Sequence, residues 1–318
     1  MSGNTSLSIT IITLGNYKVL SDCLDSIYRY NAKLDLEIIL VANNVNDKFL
    51  KEIKRNYPYV IIFETKGVKG FSENQNLALR KATKEFVCVL NDDVIFVDDS
   101  LTRMVTILVD NKDISFISPK ILNLDGTNQY YPELKNISIT LFIKNLIFIK
   151  EKKINYKIIS NMIDNSSGMI QIFSLSGACF VARNNILNEL NYFDEDYFFT
   201  PEDIDLAIRA IKKGYRIYMY TDSKVFHING NSSKELSSIL LSCGWSGIYL
   251  LVRKHYGFIN EIVLRIISFI MSIVKIFYSI LANNSKSKKR IEYYKMLLTY
   301  SLRKMDPREV FIKLNKAG

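Results

Sequence analysis

Apolar residues recur along the first half of this chain with two alternating periods, and the alternation predicts strands joined by helices. Ser6–Thr13 is a β-rich run, and Lys18 to Tyr30 repeats Val19, Leu20, Cys23, Leu24 and Ile27 at helical spacing. Glu37 to Val41 is a second strand that ends at Ala42-Asn43-Asn44, followed by a short helix over Asp47–Asn56 and a third strand from Tyr59 to Phe63. Gly67 and Gly70 open a loop ahead of a helix from Ser72 to Lys84. Glu85 to Phe96 then runs apolar residues straight into Asn91-Asp92-Asp93. Beyond it lie a helix over Asp99–Asn111, a strand over Phe116–Leu122, a β pattern over Met169–Ala182, a helix opened by Asn184 or Asn185, and a strand from Tyr215 to Ile228. Strands alternating with helices imply right-handed βαβ units and an α/β fold with a mostly parallel, Rossmann-like sheet flanked by helices.

The pattern changes in the second half. Ile137 to Ile149 is nearly all apolar over 13 residues, too short to span a bilayer. It is a buried helix or an interfacial segment, and the flanking lysines favour the interface. Gly257 to Ala282 is long enough to span, yet Glu261, Arg265, Ser268, Ser272, Lys275 and Ser279 recur three or four residues apart along one narrow helical stripe. Carrying Arg265 and Lys275 into hydrocarbon costs up to about 2.5–3.5 kcal/mol each. The expectation is a helix lying in the membrane plane with the stripe at the headgroups, the other reading being a stripe packed against protein.

At 318 residues and 48% hydrophobic composition the chain can bury a large core, which implies one main domain, residues 1–256, and a helical appendage, residues 257–318. Charge sharpens that division. From Arg253 to Gly318 there are 14 Lys/Arg against 4 Asp/Glu, leaving 28 against 28 for residues 1–252, so the net +10 lies wholly in the tail. A basic, apolar tail on a neutral body points to an anionic membrane surface rather than to nucleic acid. Cys23, Cys88, Cys179 and Cys243 have no paired spacing and read as core residues of a reducing compartment. The first apolar run has no basic region before it, so it reads as a strand, and a cytoplasmic protein is expected.

Candidate chemistry gathers in four places. In an open α/β sheet ligands sit at the carboxyl ends of the strands, so Asp92 and Asp93 are placed to hold a cation on a diphosphate; a polar turn capping the next segment fits the same residues. Thr200-Pro201-Glu202-Asp203 fits a capping box, with Thr at the cap and Pro at the first helical position. A carboxylate there could also act as general base on a hydroxyl. His227 ends an apolar strand, as a satisfied edge histidine or as a further ligand to a cation at Asp93. Gly67-Val68-Lys69-Gly70-Phe71 lacks the glycine spacing of a phosphate loop and suits either an ordinary turn or a close nucleotide approach.

Taken in order, Ser8 to Thr13, Glu37 to Asn43, Gly70-Phe71-Ser72 with Asn76, Leu90 to Asp93, Ser176-Gly177-Ala178, Phe193-Asp194-Glu195, Glu202 to Leu206, and His227 resemble the inverting family 2 glycosyltransferases of GT-A fold. The nearest branch is that of bacterial rhamnosyltransferases and galactofuranosyltransferases of surface polysaccharide. The resemblance covers roughly residues 6–257 and implies a nucleotide-binding half (about 1–125) and an acceptor half (about 126–256). It implies that Asp93, with Asn91 and Asp92, holds Mg²⁺ or Mn²⁺ and the sugar-nucleotide diphosphate. His227 completes the metal site, Asp203 is the catalytic base and Glu202 binds the acceptor. Thr13, Asn43, Gly70 and Asn76 line the nucleotide pocket.

The implied reaction moves a hexose or deoxyhexose from a dTDP- or UDP-sugar to a lipid-linked glycan, by an enzyme peripheral at the inner face of the plasma membrane, with its oligomeric state open. Three positions depart from the pattern: Ala42 replaces the family's Asp, Asn91 replaces the first Asp of the metal segment, and Ser242 to Tyr249 replaces an Arg-Asn motif. In that last stretch Trp245 either stacks on an acceptor sugar or fills the core. Two other readings are a nucleotidyltransferase and an inactive glycan-binding scaffold. The first calls for a basic, glycine-rich loop after the first strand, where the chain has Leu14-Gly15-Asn16-Tyr17.

Overall fold

Strands β1 (Ser6–Thr13), β2 (Asp35–Asn43), β3 (Val60–Thr65), β4 (Phe86–Asn91), β5 (Val94–Phe96), β6 (Ile114–Leu122), β7 (Met169–Ile172), β8 (Cys179–Arg183) and β9 (Arg216–His227) form one sheet in the computed structural model. The structure describes residues 5–147, 149–228, 237–282, 287–303, 306, 308–309 and 312. Sheet order is β3-β2-β1-β4-β8-β6-β9-β5, with β7 paired to β9. The four strands from β3 to β4 are parallel, as expected for βαβ units. β8 runs antiparallel to both β4 and β6, which makes the second half of the sheet mixed.

Both faces of the sheet are covered. On β4, Phe86, Cys88 and Leu90 enter one buried cluster, and Val87 and Val89 the other, because successive strand residues point to opposite faces. Helix α1 (Tyr17–Tyr30) starts where Asn16 Oδ1 accepts the Val19 N–H at 3.2 Å, and it buries Leu20, Cys23, Leu24 and Ile27. Helix α2 (Asp47–Asn56) is capped in the same way by Asn46 and buries Phe49, Leu50 and Ile53. Helices α3 (Phe71–Leu79), α4 (Ser100–Asp110), α7 (Asn184–Glu189) and α8 (Glu202–Lys212) complete the flanks. Cys23, Cys88 and Cys179 are buried free thiols; the side chain of Cys243 lies outside the described residues.

The structure differs from the periodicity in four local respects. The Glu85–Phe96 run breaks into β4 and β5 at Asp92-Asp93, because the chain must turn there to cross to β9. Helix α3 stops at Leu79 rather than Lys84. The Met169–Ala182 pattern is two strands, parted by a loop that carries Ser176-Gly177-Ala178. Helix α8 begins at Glu202, one residue later than the capping-box reading, and Asp203 accepts from Gly177 in that loop.

The chain forms two compact units. The sheet and its flanking helices make up Met1–Asn136, Ile158–Glu195 and Asp203–Gly230; the other unit is Ile137–Lys157, Asp196–Glu202 and Asn231–Gly318. Helix α6 (Ile149–Asp164) runs from one into the other. In the second unit α5 (Ile139–Ile147), α9 (Ser237–Tyr256) and α11 (Ser287–Leu302) pack on the long helix α10 (Phe258–Ala282). Ile137, Phe142 and Leu146 are buried there, the buried reading of that apolar run.

Helix α10 reverses the expected orientation. Glu261, Ser268, Ser272 and Ser279 of the polar stripe are buried, whereas Ile266 and Phe277 are 53% and 59% exposed. The reason is local satisfaction. Ser268 and Ser272 return their hydroxyls to carbonyls one turn back, at 2.8 and 2.7 Å, and Arg265 binds Glu261 at 2.8 Å and the Tyr300 carbonyl at 2.7 Å. Small serines also let neighbouring helices approach closely, so the stripe is the packing face.

Gly247 of α9 packs closely on Thr200-Pro201. A Cβ added there would lie 2.3 Å from the Thr200 carbonyl oxygen and 2.6 Å from Pro201 Cδ. Gly247→Ala should therefore lower stability by about 1–3 kcal/mol, the usual range for overpacking, seen as a lower urea midpoint. An unchanged midpoint would contradict this contact.

Candidate active site

Parallel pairing brings the carboxyl ends of β1, β2, β3 and β4 to one edge of the sheet. Thr13 is paired beside Ala42, Asn43 beside Thr65, and Asn91 beside Ile12. Each is a polar residue ending an apolar strand, and this edge is where ligands of open α/β sheets bind. Asn43 is buried and donates to Asn74 Oδ1 at 3.2 Å; Thr65 donates to the same oxygen at 3.0 Å. Asn74 in turn donates to the Gly70 carbonyl at 3.2 Å, so one amide ties Asn43 to the Gly70 turn. Asn74 escapes a sequence reading because it lies on a buried face of α3 beside Asn76 and resembles it. Asn76 is fully buried, and its amide is engaged with Phe193 and Glu195.

Asp92 and Asp93 form the turn between β4 and β5. Burial pushes Asp92 up to about 6 against the hydrogen bond from Thr13, and the neighbouring Asp93 adds to the rise. Asp93 is buried, and its Oδ1 lies 2.9 Å from His227 Nε2. Two residues distant in sequence meet here because β5 pairs antiparallel with β9, setting Val94 opposite His227.

Gln129 sets the state of that histidine. Its Nε2 donates to the backbone carbonyl of His227 and to Asn123 Oδ1, both at 3.0 Å; the first bond fixes the amide's orientation and leaves Oε1 facing His227 Nδ1 at 2.5 Å. An amide oxygen can only accept, so Nδ1 carries the ring proton. Nε2 then faces both Asp93 Oδ1 and, at 3.2 Å, the amide of Asn91. The 2.9 Å between Nε2 and Asp93 Oδ1 calls for a proton or a cation between them.

Cis ligands of an octahedral cation bound at about 2.1 Å lie about 3.0 Å apart, so Asp93 and His227 fit such an ion. Among the described residues no group of three or more His, Cys, Asp and Glu side chains converges, so a cation held here would complete its shell with water or ligand phosphates. No sequence pattern marked Gln129, since its role exists only through the ring it orients.

Asp203 stands on the opposite side of the 176–178 loop. Its Oδ2 accepts from Gly177 N–H at 3.0 Å and its Oδ1 from Ile204 N–H at 2.8 Å. Burial raises its pKa against these bonds. The same loop reaches the Asn91–Asp93 segment, because Asn91 N–H donates to the Ala178 carbonyl at 3.0 Å. In the helical unit, Glu202 is buried, and Trp245 is half-buried with its indole N–H donating to Tyr293 at 2.8 Å.

A mixed sheet with acids at the carboxyl edge of its parallel strands, and a carboxylate bonded to the 176–178 loop, has the architecture of a GT-A fold. The chain matches glycosyltransferase-like family 2 over residues 5–240 and belongs to that family. It is 23% identical over 241 residues to the rhamnosyltransferase WbbL of Escherichia coli, covering 72% of this chain and 86% of that one. It is 31% identical over 84 residues, 26% of this chain and 27% of the other, to the N-acetylglucosaminyl-diphospho-decaprenol L-rhamnosyltransferase of Mycobacterium tuberculosis. In fold it is similar to GalNAc-T7 with UDP, GalNAc and Mn²⁺, with a TM-score of 0.59 at 13% identity over 96% of this chain and 59% of that one. It is similar also to the mannosyltransferase PcManGT from Pyrobaculum calidifontis with GDP-Man and Mn²⁺, with a TM-score of 0.55 at 13% identity over 95% and 88% of the two chains.

Asp93→Ala should abolish the strengthening of UDP binding by Mn²⁺, measured by calorimetric titration. Gln129→Leu frees the ring to rotate and should weaken Mn²⁺ affinity by about 10- to 100-fold, as loss of a ligand-orienting hydrogen bond does elsewhere. Wild-type Mn²⁺ affinity in the Leu variant would remove Gln129 from the site.

Proposed function

We propose that this family 2 glycosyltransferase is a metal-dependent, inverting enzyme that moves a hexose or deoxyhexose, rhamnose foremost, from a dTDP- or UDP-sugar to a hydroxyl of a lipid-linked glycan in surface polysaccharide synthesis. The observation that carries the mechanism is the 176–178 loop, bonded at one end to the Asn91–Asp93 segment and at the other to Asp203. Asp93 and His227 hold Mg²⁺ or Mn²⁺, Asn91 and Asp92 complete the diphosphate site, and Thr13, Asn43 and Gly70 line the nucleotide pocket. The cation, when bound, offsets negative charge developing on the leaving diphosphate. Asp203 takes the proton from the attacking acceptor hydroxyl, and a single displacement inverts the anomeric centre. Ala42 leaves base recognition to Asn43, oriented by Asn74 and Thr65. The sugar and acceptor classes draw on the relatives, one of which is by name a rhamnosyltransferase acting on N-acetylglucosaminyl-diphospho-decaprenol.

The acceptor places the enzyme at a membrane, and α10 supplies the contact. It is long and apolar enough to cross a bilayer. However, α11 packs antiparallel along it, with Arg265 bonded to the Tyr300 carbonyl; it exposes Lys288, Lys289 and Arg290 at its start and Glu292 and Lys295 farther along, and a crossing would drag the latter pair into hydrocarbon. The helix therefore lies in the membrane plane at the cytoplasmic face, with Ile266, Ile270, Ile273 and Phe277 inward to the lipid. Lys286, read with this basic group, lies outside the described residues.

Asp203→Asn keeps the size of the side chain and removes the base, so turnover should fall by about 10² to 10⁴ with donor binding retained; near-normal turnover would refute its role. Because burial raises the Asp203 pKa, kcat should decline with falling pH on an acid limb centred above about 3.9, the ordinary aspartate value. Ile270→Glu with Phe277→Glu should abolish sedimentation with anionic liposomes, since each large apolar side chain contributes about 1.5–3 kcal/mol when removed from water. High salt should release the unaltered protein only in part, because screening leaves apolar burial intact. Undiminished liposome binding by the double variant would exclude this face.

A further inference from the structure

Gly177 stands half-exposed at the centre of the 176–178 loop, and neither its backbone nor its packing requires a glycine. Its φ lies outside the left-handed region, and a Cβ built on it meets nothing closer than 3.4 Å. Gly247 is the opposite case, since a Cβ there would collide with a backbone carbonyl oxygen at 2.3 Å. What a side chain at 177 would do is occupy a gap. The point where its Cβ would sit is 3.4 Å from Phe71 Cζ, 3.6 Å from Phe71 Cε1 and 3.9 Å from Asp203 Oδ2. One bare backbone position thus has an aromatic ring edge on one side and the candidate base on the other, all within the sheet unit.

Phe71 is the first residue of α3 and directly follows Gly70. Its ring is held edge-to-face on Phe193 at 5.6 Å between centres, and Phe193 is held in turn by Phe180 at 6.3 Å. Phe71 is nevertheless only half-buried, so its para end borders the gap without closing it. The amides that follow it on α3 are already committed. Asn74 is bonded to Asn43, Thr65 and Gly70, and Asn76 donates to the Phe193 carbonyl and Glu195 and accepts from the Phe193 N–H. The wall that Phe71 gives the gap is therefore carbon alone. A ligand hydroxyl pressed against Phe71 Cζ would lose its water without a replacement, whereas a methyl group there would gain burial.

On the transferase reading the nucleotide lies along Thr13, Asn43 and Gly70, and the sugar it carries has to meet the hydroxyl that Asp203 deprotonates. The gap between Phe71 and Asp203 lies on that path. We infer that Phe71 is a specificity residue for the donor sugar, its para edge taking the C6 methyl of a 6-deoxyhexose while the bare Gly177 leaves room for the sugar ring. The inference rests on the transferase reading and adds which side chain selects the sugar. An apolar wall rejects an added hydroxyl by about 10²-fold at most, which sets the scale of the preference.

The test uses the full chain and two variants, Phe71→Tyr, which adds a hydroxyl on Cζ at the edge of the gap, and Gly177→Ala, which fills it. Calorimetric titration with Mn²⁺ present measures dTDP, UDP and their conjugates with two pairs of sugars that differ only at C6, L-rhamnose with L-mannose and D-fucose with D-galactose. In at least one pair the unaltered protein should bind the 6-deoxy sugar about tenfold or more tightly than its 6-hydroxy counterpart. Phe71→Tyr should shrink that ratio to about threefold or less while its affinity for the parent nucleotide, which reports an intact fold, stays that of the unaltered protein. Gly177→Ala should weaken the preferred conjugate about tenfold or more relative to its parent nucleotide. A ratio near one in both pairs would overturn the inference, as would a ratio that Phe71→Tyr leaves unchanged or conjugate binding that Gly177→Ala leaves unchanged. Absence of Mn²⁺-dependent binding of either parent nucleotide would instead defeat the transferase reading, and the inference with it.

Discussion

The pairing of the three-residue strand β5 with the end of β9 is the constraint on which the candidate site depends. It sets Val94 opposite His227 and Phe96 opposite Val225, and the Ile228 N–H closes the ladder on the Asp93 carbonyl at 3.0 Å. The energy that holds this register is apolar: Val94, Phe96 and Val225 are fully buried in the main cluster. A slip of one residue would expose them and turn His227 to the other face of the sheet. Core burial thus places an imidazole beside a carboxylate, and Gln129 sets which nitrogen the imidazole presents.

Negative charge at this edge is distributed rather than massed. Asn91 supplies an amide where a third acid would add repulsion, and Asp92, already pushed up to about 6, is steadied by Thr13. Asp203 is kept on a separate element and reaches the same neighbourhood through the backbone of residues 176–178. The two carboxylate functions can therefore differ in environment, one beside a histidine and one held by backbone N–H groups.

The helical unit follows a different logic. Its long helix puts polar side chains inside and apolar ones outside, the reverse of a water-soluble amphipathic helix. Ser268 and Ser272 find acceptors one turn back, and Glu261 Oε1 an ion partner in Arg265.

Much of this was legible in the residues themselves. Periodicity located β1 to its ends, since alternating and helical apolar spacings report which faces must be buried. The polar ends of apolar strands, Thr13, Asn43 and Asn91 to Asp93, marked the candidate edge, because the carboxyl ends of parallel strands share one side of the sheet. The narrow stripe on α10 was equally visible as a pattern. Periodicity reports that two faces differ, and it does not say which one meets protein, so the stripe's burial was decided by the packing of α5, α9 and α11. The meeting of Asp93 with His227, the grip of Gln129 on that ring, and the reach of Gly177 to Asp203 likewise required the fold. They join residues 134, 98 and 26 positions apart, and hydrogen bonds across such separations leave no period in a sequence.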